Sequence, residues 1–320
     1  MEAGNNLIKA LRYFNFDTDI KTKLIGNGAN SNVYIVGENQ YILKFYRTDN
    51  NQPSRLDREF YALKLFAENK IENVPKIIGK SNELNCSLMT HIDGTSINVF
   101  QSEITDEFAN FYKKLLNISF KYKKNTFESI DACPSIKTLL SQVNHRILNL
   151  EKEEDLKLKV ILDIIKSHLS YIKSKIFENY YNNLKSEFSV VDFGINNVIL
   201  NQKNLYFIDF EFFGLDNPVH LISDTIAHPA NNLNIDEQLN LYNKFLNCHD
   251  NQEEIINAFI GNNLIFDLKW CLIMLNPFLS NYVLNVDEKE RELKKKLQLE
   301  KVINKITLIE QKMKNEKFLR

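Results

Sequence analysis

Glycine and proline are scarce in this chain, with nine and six occurrences in 320 residues. The scarcity disfavours a β-sandwich or another loop-rich fold, because the turns of such folds consume these residues. The longest apolar run, around residues 271–275, is far shorter than the roughly 18 residues of a membrane span. The N-terminus lacks the basic segment and apolar core of a signal peptide. We therefore expect a helix-rich cytoplasmic protein without a membrane partner.

The chain also lacks an excess of either charge, since 40 Lys and Arg residues stand against 41 Asp and Glu residues. Proteins that bind nucleic acid usually carry a basic excess that neutralises phosphates, so nucleic acid is not expected as a partner. Hydrophobic residues make up 44% of the chain and charged residues 25%, which allows a sizeable core. The length suggests about two domains.

Cysteine and histidine form no metal-binding pattern. The cysteines are isolated, with no CxxC pair and no histidine at a zinc-finger spacing: Cys86, Cys133, Cys248 and Cys271. A disulfide framework would be denser and a metal cluster tighter, so we expect reduced thiols. The six histidines are scattered along the chain, and we expect structural or surface roles for all of them.

Short β-type runs characterise the first ninety residues. Apolar and β-branched residues form five such runs, and a helical stretch that opens at Pro53 separates the third from the fourth. The expected order is three strands, a helix and two strands, at residues 23–25, 33–36, 41–46, 53–69, 76–78 and 87–89. Asp93-Gly94 then breaks the pattern, and we place a boundary there, between parts 1–93 and 94–320.

Helical patterns dominate the remaining chain. We expect helices near residues 103–117, 135–150 and 155–184 and from about 234 onward, interrupted by a β-type island at 188–210. The tail beyond Asp287 is highly charged but keeps an apolar stripe at helical spacing: Leu293, Leu297, Val302, Ile306, Ile309 and Met313. We expect this stripe to pack on the body of the protein, because its irregular heptad disfavours a coiled coil with a partner.

A glycine-rich turn at residues 26–33 lies between two predicted strands. Glycines such as Gly26 and Gly28 allow backbone N–H groups to approach phosphate oxygens, because no Cβ intrudes. A plain tight turn explains the pattern equally well. The turn is not a Walker A loop, which would continue with Gly-Lys-Ser or Gly-Lys-Thr into a helix.

Lys44 lies in the middle of an apolar predicted strand, and Glu59 follows in the next helix. Alternation along the strand would point Lys44 to solvent. The functional alternative places Lys44 in a cleft, where it would hold nucleotide phosphates while Glu59 orients its ammonium group. Asp57 and Glu68 are the competing carboxylates on the same predicted helix.

Two further motifs lie close together near residue 200. Val191-Asp192-Phe193-Gly194-Ile195-Asn196-Asn197 precedes an apolar run, and Tyr206-Phe207-Ile208-Asp209-Phe210-Glu211 follows a turn. Asn197 therefore follows Asp192 by five residues (197 minus 192), and Asp209 follows it by seventeen (209 minus 192). Phosphoryl transfer uses this set: one carboxylate orients the attacking hydroxyl group, and an amide oxygen and a second carboxylate hold Mg²⁺ against the triphosphate.

These motifs resemble those of the aminoglycoside phosphotransferase and choline kinase superfamily of protein-kinase-like small-molecule kinases. Members of that family read Ser-Asp-Phe-Gly-x-x-Asn in the catalytic loop and Ile-Asp-Phe-Glu after the next hairpin, which correspond to residues 191–197 and 208–211 of this chain. The resemblance implies a two-lobed α+β protein-kinase-like fold. Its small β-sheet N-lobe, residues 1–93, would bind nucleotide, and its larger helical C-lobe, residues 94–320, would carry catalysis and substrate binding.

The resemblance also implies roles for individual residues. Asp192 would be the catalytic base, and Asn197 and Asp209 would be the magnesium ligands. Lys44 would contact the phosphates, with Glu59 as its partner. MgATP is therefore the implied cofactor and phosphate donor.

The remaining implied contacts are also with the nucleotide. Gly26, Gly28 and Ser31 would form the phosphate loop. The backbone of Thr90 and Ile92 would meet the adenine ring.

One sequence feature imitates the motif of a different kinase family, and two others depart from the pattern of the family that this chain resembles. Asp192-Phe193-Gly194 spells the magnesium motif of protein kinases, but residues 164–191 contain no Asp that could serve as a base upstream, so Asp209 is the better metal ligand. Val190-Val191 stand where the family commonly has His-Gly, and Ser31 replaces the third glycine of the nucleotide loop. Every charged catalytic position is nevertheless filled.

Several other residues keep more than one interpretation. Glu211 either helps to position metal or substrate or only ends a strand. Asp224 is expected to brace the catalytic loop. Trp270 and Asp267 lie on a late helix where pockets of this family are often built, although core packing explains Trp270 better.

The expected function is transfer of the γ-phosphate of MgATP to a hydroxyl group of a small metabolite, such as a sugar, an amino sugar, an aminoglycoside or an amino alcohol. A nucleotide-binding pseudokinase that regulates a partner protein is the first alternative, which the filled catalytic positions disfavour. A kinase acting on protein side chains is the second, and the short interval between Asp209 and Asp224 disfavours it.

Overall fold

The computed structural model describes residues 2–28, 30–48, 50–100, 102–122, 126–175, 178–282, 287–315 and 318. The chain divides into two compact units. The first comprises Met1–Asn98 and Ile195–Gly214, and the second comprises Val99–Gly194 and Leu215–Arg320. The boundary expected at residue 93 assigned residues 195–214 to the second part, whereas in the structure they group with the first.

Helices and strands are numbered separately, in chain order. The helices are α1 Glu2–Tyr13, α2 Arg55–Glu68, α3 Ser102–Tyr122, α4 Ile136–Leu150, α5 Leu156–Lys173, α6 Glu178–Asn182, α7 Pro218–Ala227, α8 Ile235–Leu246, α9 Gln252–Phe259, α10 Asn263–Met274 and α11 Glu288–Met313. The strands are β1 Thr22–Asn27, β2 Ser31–Val36, β3 Tyr41–Tyr46, β4 Ile77–Ser81, β5 Cys86–Thr90, β6 Thr95–Ser96, β7 Glu187–Ser189, β8 Val198–Asn201, β9 Asn204–Phe207 and β10 Gly214–Asp216.

An antiparallel sheet with the strand order β1-β2-β3-β5-β4 forms the centre of the first unit. The predicted succession of three strands, a helix and two strands is confirmed. Helix α1 precedes them and was not predicted, because its first half contains one glycine and two asparagines of low helix propensity. Its Ala10 and Leu11 are buried in one apolar cluster with Leu43 and Leu88 of the sheet.

Helix α2 brings one of the expected site residues to the sheet. The Ser54 side chain caps its N-terminus by accepting the backbone N–H of Asp57 at 3.2 Å. Glu59, Leu63 and Phe66 are buried on this helix at spacings of four and three residues, which places them on one face. Packing of Leu63 and Phe66 therefore fixes the rotation of helix α2 about its axis, and this rotation keeps the Glu59 carboxylate buried.

The predicted β-type island contains the hairpin of β8 and β9, and β6 pairs with β8. Gly94 precedes β6 with φ 148°, and a Cβ atom there would collide with the carbonyl oxygen of Leu200. The residue that sequence analysis interpreted only as a breaker thus permits a close approach of two backbones. This pairing explains why residues 195–214 group with the first unit.

Helix α10 lies at the centre of the second unit, where it contacts α4, α5, α7 and α11. Helix α7 was not predicted, because every one of its residues is buried and it has no polar face to produce an amphipathic period. The helix expected at residues 155–184 consists of two helices, α5 and α6. The longer helical stretches are otherwise where the sequence predicted them.

The apolar stripe of the charged tail lies on helix α11. Val302, Ile306 and Ile309 are buried, which confirms the expected packing for the second half of the helix. Leu293 and Leu297 are 55% and 47% exposed, so the first half does not pack as expected. The stripe therefore covers the unit along only part of its length.

Helix α11 also contributes lysines to a buried ionic cluster. The Nζ atoms of Lys305 and Lys312 lie 2.8 Å and 2.6 Å from the two carboxylate oxygens of Asp267. Burial opposes ionisation of Asp267, but the charges of both lysines outweigh it and lower the pKa of that carboxyl. Asp267 thus joins α10 to α11 through charge.

Among the described residues, no single helix is long and apolar enough to cross a membrane. The bent pair Gln252–Phe259 and Asn263–Phe278 meets the length and composition criteria when its two segments are taken together, with a bend of 53°. Since α10 is buried within its unit, protein already covers much of this apolar surface. The cellular location stays a prediction.

Candidate active site

Lys44 is the centre of a buried group of charged side chains in the first unit. Its Nζ lies 2.8 Å from Glu59 Oε2, 2.6 Å from Asp209 Oδ1 and 3.2 Å from Glu211 Oε2. The Lys44 side chain is only 5% exposed, so the expectation that strand alternation points it to solvent is wrong. Tyr46, two residues along β3, donates its hydroxyl hydrogen to Glu59 Oε2 at 2.6 Å.

The strands around Lys44 explain how it stays buried. Residue 44 is paired with Val33 of β2 on one side and with Ser87 of β5 on the other. A position in the middle of a sheet leaves the backbone fully paired and fixes the direction of the side chain. The Lys44 ammonium therefore has to find its partners within the unit.

The charges in this group shift one another's pKa values. Burial alone would lower the pKa of Lys44, but the charges of Asp209 and Glu59 outweigh it and raise that pKa well above its ordinary value. Burial raises the pKa of the Glu211 carboxyl to about 7, against the opposing charge of Lys44. Lys44 is therefore fully charged near neutral pH, while Glu211 binds a proton more readily than an exposed carboxyl does.

Asp209 is held by the backbone on both sides of it. The N–H of Ile208 donates to the carbonyl oxygen of Asn197 at 3.0 Å, and the N–H of Phe210 donates to Glu59 Oε1 at 3.2 Å. Asp209 itself has φ 68°, a left-handed conformation that is uncommon outside glycine. The backbone thus turns sharply at Asp209, whose carboxylate contacts Lys44. A backbone hydrogen bond also joins Asn197 to Ile208, the residue before Asp209.

Three carboxylates in the first unit lie close enough to bind one cation. One oxygen each from Glu59, Asp209 and Glu211 lies within 4.8 Å of the others. Both Glu59 oxygens already accept hydrogen bonds, whereas Glu211 Oε2 accepts none and Asp209 is 35% exposed. Carboxylate oxygens are the donors that Mg²⁺ prefers, so Asp209 and Glu211 fit a magnesium ion.

A cavity of about 140 Å³ in the first unit adjoins this charged group. Lys44, Glu59 and Asp209 contribute to its wall together with residues of β5 and the segment that follows. The rest of the lining is largely apolar: Ile25, Val33, Ile42, Pro75, Met89, Ile199 and Ile208. The cavity is therefore apolar over most of its wall and charged where the Lys44 group meets it.

The segment expected to meet adenine lines the same cavity. The N–H of Thr90 donates to the carbonyl oxygen of Lys76 at 2.9 Å, and the N–H of His91 donates to that of Gln40 at 3.0 Å. Ile92, by contrast, makes no backbone hydrogen bond within the part of the chain that the structure describes. Of the two expected adenine contacts, Ile92 has a backbone N–H to offer and Thr90 does not.

The expected phosphate loop is the turn between β1 and β2. The N–H of Gly28 donates to the carbonyl oxygen of Ser31 at 3.0 Å, and the Ser31 side chain is buried. Neither Gly26 nor Gly28 has a positive φ, and a Cβ at either position would meet only ordinary contacts at 3.4 Å or more. The fold of the unit itself thus tolerates a side chain at both positions.

Asp192 lies in the second unit, where a histidine binds it. His228 Nε2 is 2.9 Å from Asp192 Oδ1, and His228 Nδ1 accepts the backbone N–H of Ala230 at 3.1 Å. Since a backbone N–H can only donate, Nδ1 carries no proton, and Nε2 is the protonated nitrogen that donates to the carboxylate. His228 is therefore a neutral hydrogen-bond donor to Asp192.

The loop that carries Asp192 is anchored on both sides of its carboxylate. The Phe193 ring lies 4.5 Å from that of Phe108 and 5.7 Å from that of Phe111, both on helix α3. Asp192 has φ 70°, and its carbonyl oxygen accepts the N–H of Gly194. The carboxylate, 36% exposed, is thus oriented by an apolar anchor and by His228.

Two comparisons with known proteins bear on this arrangement. The sequence model of the phosphotransferase enzyme family matches residues 21–234, which is 214 of 320 residues. The chain belongs to this family. No curated protein matches it in sequence.

Solved structures similar to this phosphotransferase are of one fold. They include an ADP-bound aminoglycoside phosphotransferase, with 15% identity over 94% of this chain and 98% of that chain and a TM-score of 0.57. A choline kinase from Cryptosporidium parvum Iowa II shows 13% identity over 98% of both chains and a TM-score of 0.63. A spectinomycin phosphotransferase in complex with ADP and spectinomycin shows 13% identity over 94% of this chain and 98% of that chain, with a TM-score of 0.58.

The family match and the shared fold confirm two expectations. The chain has the α+β fold of the protein-kinase-like small-molecule kinases, and it is a small-molecule phosphotransferase. Its specific acceptor and the roles of its individual residues remain proposals. At these identities the solved structures show the fold alone.

Sequence reasoning missed three residues that contact the predicted site residues, and it left a fourth open. His228 was expected to be structural, and Tyr46 and Arg55, which lies 3.1 Å from Glu211, were not singled out. Glu211 was left open and belongs to the Lys44 group. The sequence did contain a signal for Glu211. It follows Asp209 by two residues, so both residues lie just after the end of strand β9.

Asp224, which was expected to brace the catalytic loop, is buried beside His220, with 3.9 Å between Asp224 Oδ1 and His220 Nε2. His228 binds the Asp192 side chain. The role of Asp224 stays a prediction.

Proposed function

We propose that this phosphotransferase transfers the γ-phosphate of MgATP to a hydroxyl group of a small molecule. The observation that carries the proposal is the Lys44 group beside an apolar cavity in the first unit. In the reaction, the acceptor oxygen bonds to the γ-phosphorus while the bond from that phosphorus to the β–γ bridging oxygen breaks. The hydroxyl proton passes to Asp192, and ADP leaves.

The cavity is suited to the adenine end of the nucleotide. Typical small-ligand sites enclose roughly 300 Å³ or more, and this cavity of about 140 Å³ suits a ring system rather than a whole nucleotide. Its apolar lining would contact the ring faces, and the Ile92 N–H would bind an edge nitrogen. Lys44, at the charged part of the wall, would then contact phosphate oxygens.

The charge of the site supports the proposal that the reaction uses a metal ion. Glu59, Asp209 and Glu211 carry three negative charges when ionised, against the positive charges of Lys44 and Arg55. A triphosphate would be repelled by this excess unless a divalent cation neutralises it. Asp209 and Glu211, with Asn197 nearby in the chain, would hold Mg²⁺, which supplies that neutralisation when bound.

Asp192 acts in the proposal mainly by placing the acceptor hydroxyl for in-line attack. His228 keeps the carboxylate in one orientation by donating a hydrogen bond to it. Positioning and charge neutralisation supply most of the rate enhancement in phosphoryl transfer. The residues present are therefore sufficient for the chemistry.

The test is Mg²⁺-dependent ADP release with pools of hydroxylated metabolites, together with calorimetric binding of MgATP. Asp192→Asn is the matched control, because asparagine retains an oxygen that can accept from His228. Substrate-stimulated release that the variant loses, with MgATP binding retained, would support the proposal. MgATP binding with no turnover, and equal behaviour of the variant, would favour the pseudokinase instead.

A further inference from the structure

A second cavity, of about 400 Å³, lies in the second unit next to the histidine that binds Asp192. Its walls include the end of α7 and parts of α8, α10 and α11. His228 is one of the residues that line this cavity, and its Nε2 donates to Asp192 Oδ1. The volume falls within the range of small-molecule sites, so a small acceptor would fit one residue away from the proposed base.

Gln238, one of the residues that line this cavity, has an unsatisfied polar atom. Gln238 is 1% exposed, and its Nε2 donates to the carbonyl oxygen of Leu233 at 2.9 Å. Its Oε1, in contrast, has no hydrogen-bond partner. A buried acceptor without a donor costs free energy, and a ligand hydroxyl group would satisfy it. The amides of Asn232 and Asn304 line the same cavity and also suit hydroxyl groups.

The charged residues of this cavity are of one sign. Lys301 and Lys305 line it, and none of its described lining residues is Asp or Glu. Lys305 is engaged, because it contacts Asp267 and also donates to the carbonyl oxygen of Ala227 at 2.7 Å. Lys301 lies one turn before it on α11, is exposed, and has no ion-pair partner among the described residues.

The carboxylates near this cavity do not cancel the positive charge of its lining. Asp267 is matched by two ammonium groups, those of Lys305 and Lys312. Asp192 is not among the lining residues, and it accepts a hydrogen bond from His228. A cationic ligand would therefore meet like charge in this cavity, whereas an acidic group would be attracted to Lys301.

We propose that this cavity binds the phosphoryl acceptor and selects a hydroxylated compound that carries an acidic group, as a sugar acid or a sugar phosphate does. The inference rests on the proposed function, whose transfer step it leaves unchanged. Lys301 contacts the acidic group, and Gln238 Oε1 accepts from a hydroxyl group. Amino sugars, aminoglycosides and amino alcohols, which the sequence left open as acceptors, are disfavoured.

The experiment measures ADP release by the full chain with MgATP and four separate pools: sugar acids, sugar phosphates, neutral sugars and polyols, and cationic amino compounds. The variant Lys301→Glu reverses the charge at the cavity. Lys296→Glu makes the same change on an exposed position of the same helix outside it, and Lys301→Arg keeps the charge.

Turnover with one of the two acidic pools, and not with the cationic pool, is expected. Lys301→Glu should lower kcat/KM for that acceptor roughly three- to tenfold, as for an exposed ion pair that is reversed. Lys296→Glu and Lys301→Arg should stay near wild type, and the KM for MgATP should not change in any variant. The responding pool distinguishes a carboxylate from a phosphate as the acidic group.

Two results would overturn the inference while leaving the proposed function intact. They are turnover only with neutral or cationic compounds, and equal effects of Lys301→Glu and Lys296→Glu on turnover of an acidic compound. Binding of MgATP without turnover in any pool, or failure to bind MgATP at all, would instead overturn the proposed function. Turnover in at least one pool therefore separates the two failures.

Discussion

Two buried ionic clusters of this phosphotransferase carry opposite excess charge. In the first unit, Lys44 lies among three carboxylates, and in the second unit, Asp267 lies between Lys305 and Lys312. Each cluster contributes to the lining of a cavity, of about 140 Å³ in the first unit and about 400 Å³ in the second. Buried excess charge is costly unless a counter-charge is available. The sign of the excess therefore agrees with the two proposed ligands, a divalent cation at the first cluster and an acidic group near the second.

The largest expected effect separates chemistry from nucleotide binding. Asp192→Asn should lower the rate of transfer roughly 10²- to 10⁴-fold, the usual contribution of a positioned base, because asparagine cannot accept the proton. MgATP affinity should stay within about twofold, since the nucleotide contacts lie in the first unit. Single-turnover kinetics and calorimetry measure the two quantities.

The exposed Asp163→Asn is the control for that change. It should leave both quantities at the wild-type level. Parallel loss of rate and nucleotide binding in Asp192→Asn would contradict the proposed separation of chemistry at Asp192 from nucleotide binding in the first unit.

The second prediction concerns stability. Asp267→Asn leaves two ammonium groups without their carboxylate, and breaking a buried ion pair in this way costs about 3–5 kcal/mol. The free energy of unfolding from urea titration should fall accordingly. Adding Lys312→Met should restore part of the loss, because it removes one of the unpaired charges. A change below about 1 kcal/mol in the single variant would show that the cluster is not a structural one.

The third prediction tests the cluster of the first unit. Lys44→Met keeps the length of the side chain but removes the charge that would contact the phosphates. Since a hydrogen bond to a charged group is worth about 1.5–3 kcal/mol, MgATP affinity should fall at least roughly tenfold. Lys80→Met, which removes the partner of Asp57 in the same unit, should leave it unchanged. Equal MgATP affinities of Lys44→Met and Lys80→Met would contradict the proposed contact between Lys44 and the phosphates.

The smallest effect is expected at His228, a positioning residue. His228→Ala should lower kcat roughly fivefold while the KM for MgATP stays constant, because one hydrogen bond from a neutral donor contributes about 1 kcal/mol. His228→Gln, which can still donate to Asp192, should recover most of the rate. A loss of stability without this split between kcat and KM would indicate a purely structural histidine.

The β-strands of the first unit were predictable because their hydrophobic runs are local and are separated by clear turn residues. Helix α7 was not, because a fully buried helix has no polar face, and α1 was not, because its first half has low helix propensity. Asp192, Asn197 and Asp209 were predicted as site residues because two short motifs carry them, each contiguous in the sequence. His228 could not, because a solitary histidine 36 residues after Asp192 gives no signal of its own.

By itself, the sequence determined the chemical groups and their order: a lysine on a strand, then an Asp, an Asn and an Asp around a hairpin. These are local features, set by strand periodicity and by motifs within a few residues. Only the tertiary structure decided that Lys44 meets Glu59 rather than Asp57 or Glu68, and that it meets Asp209 across 165 residues of chain. The reason is that such a contact depends on sheet register and on the rotation of a packed helix, which many distant side chains set together.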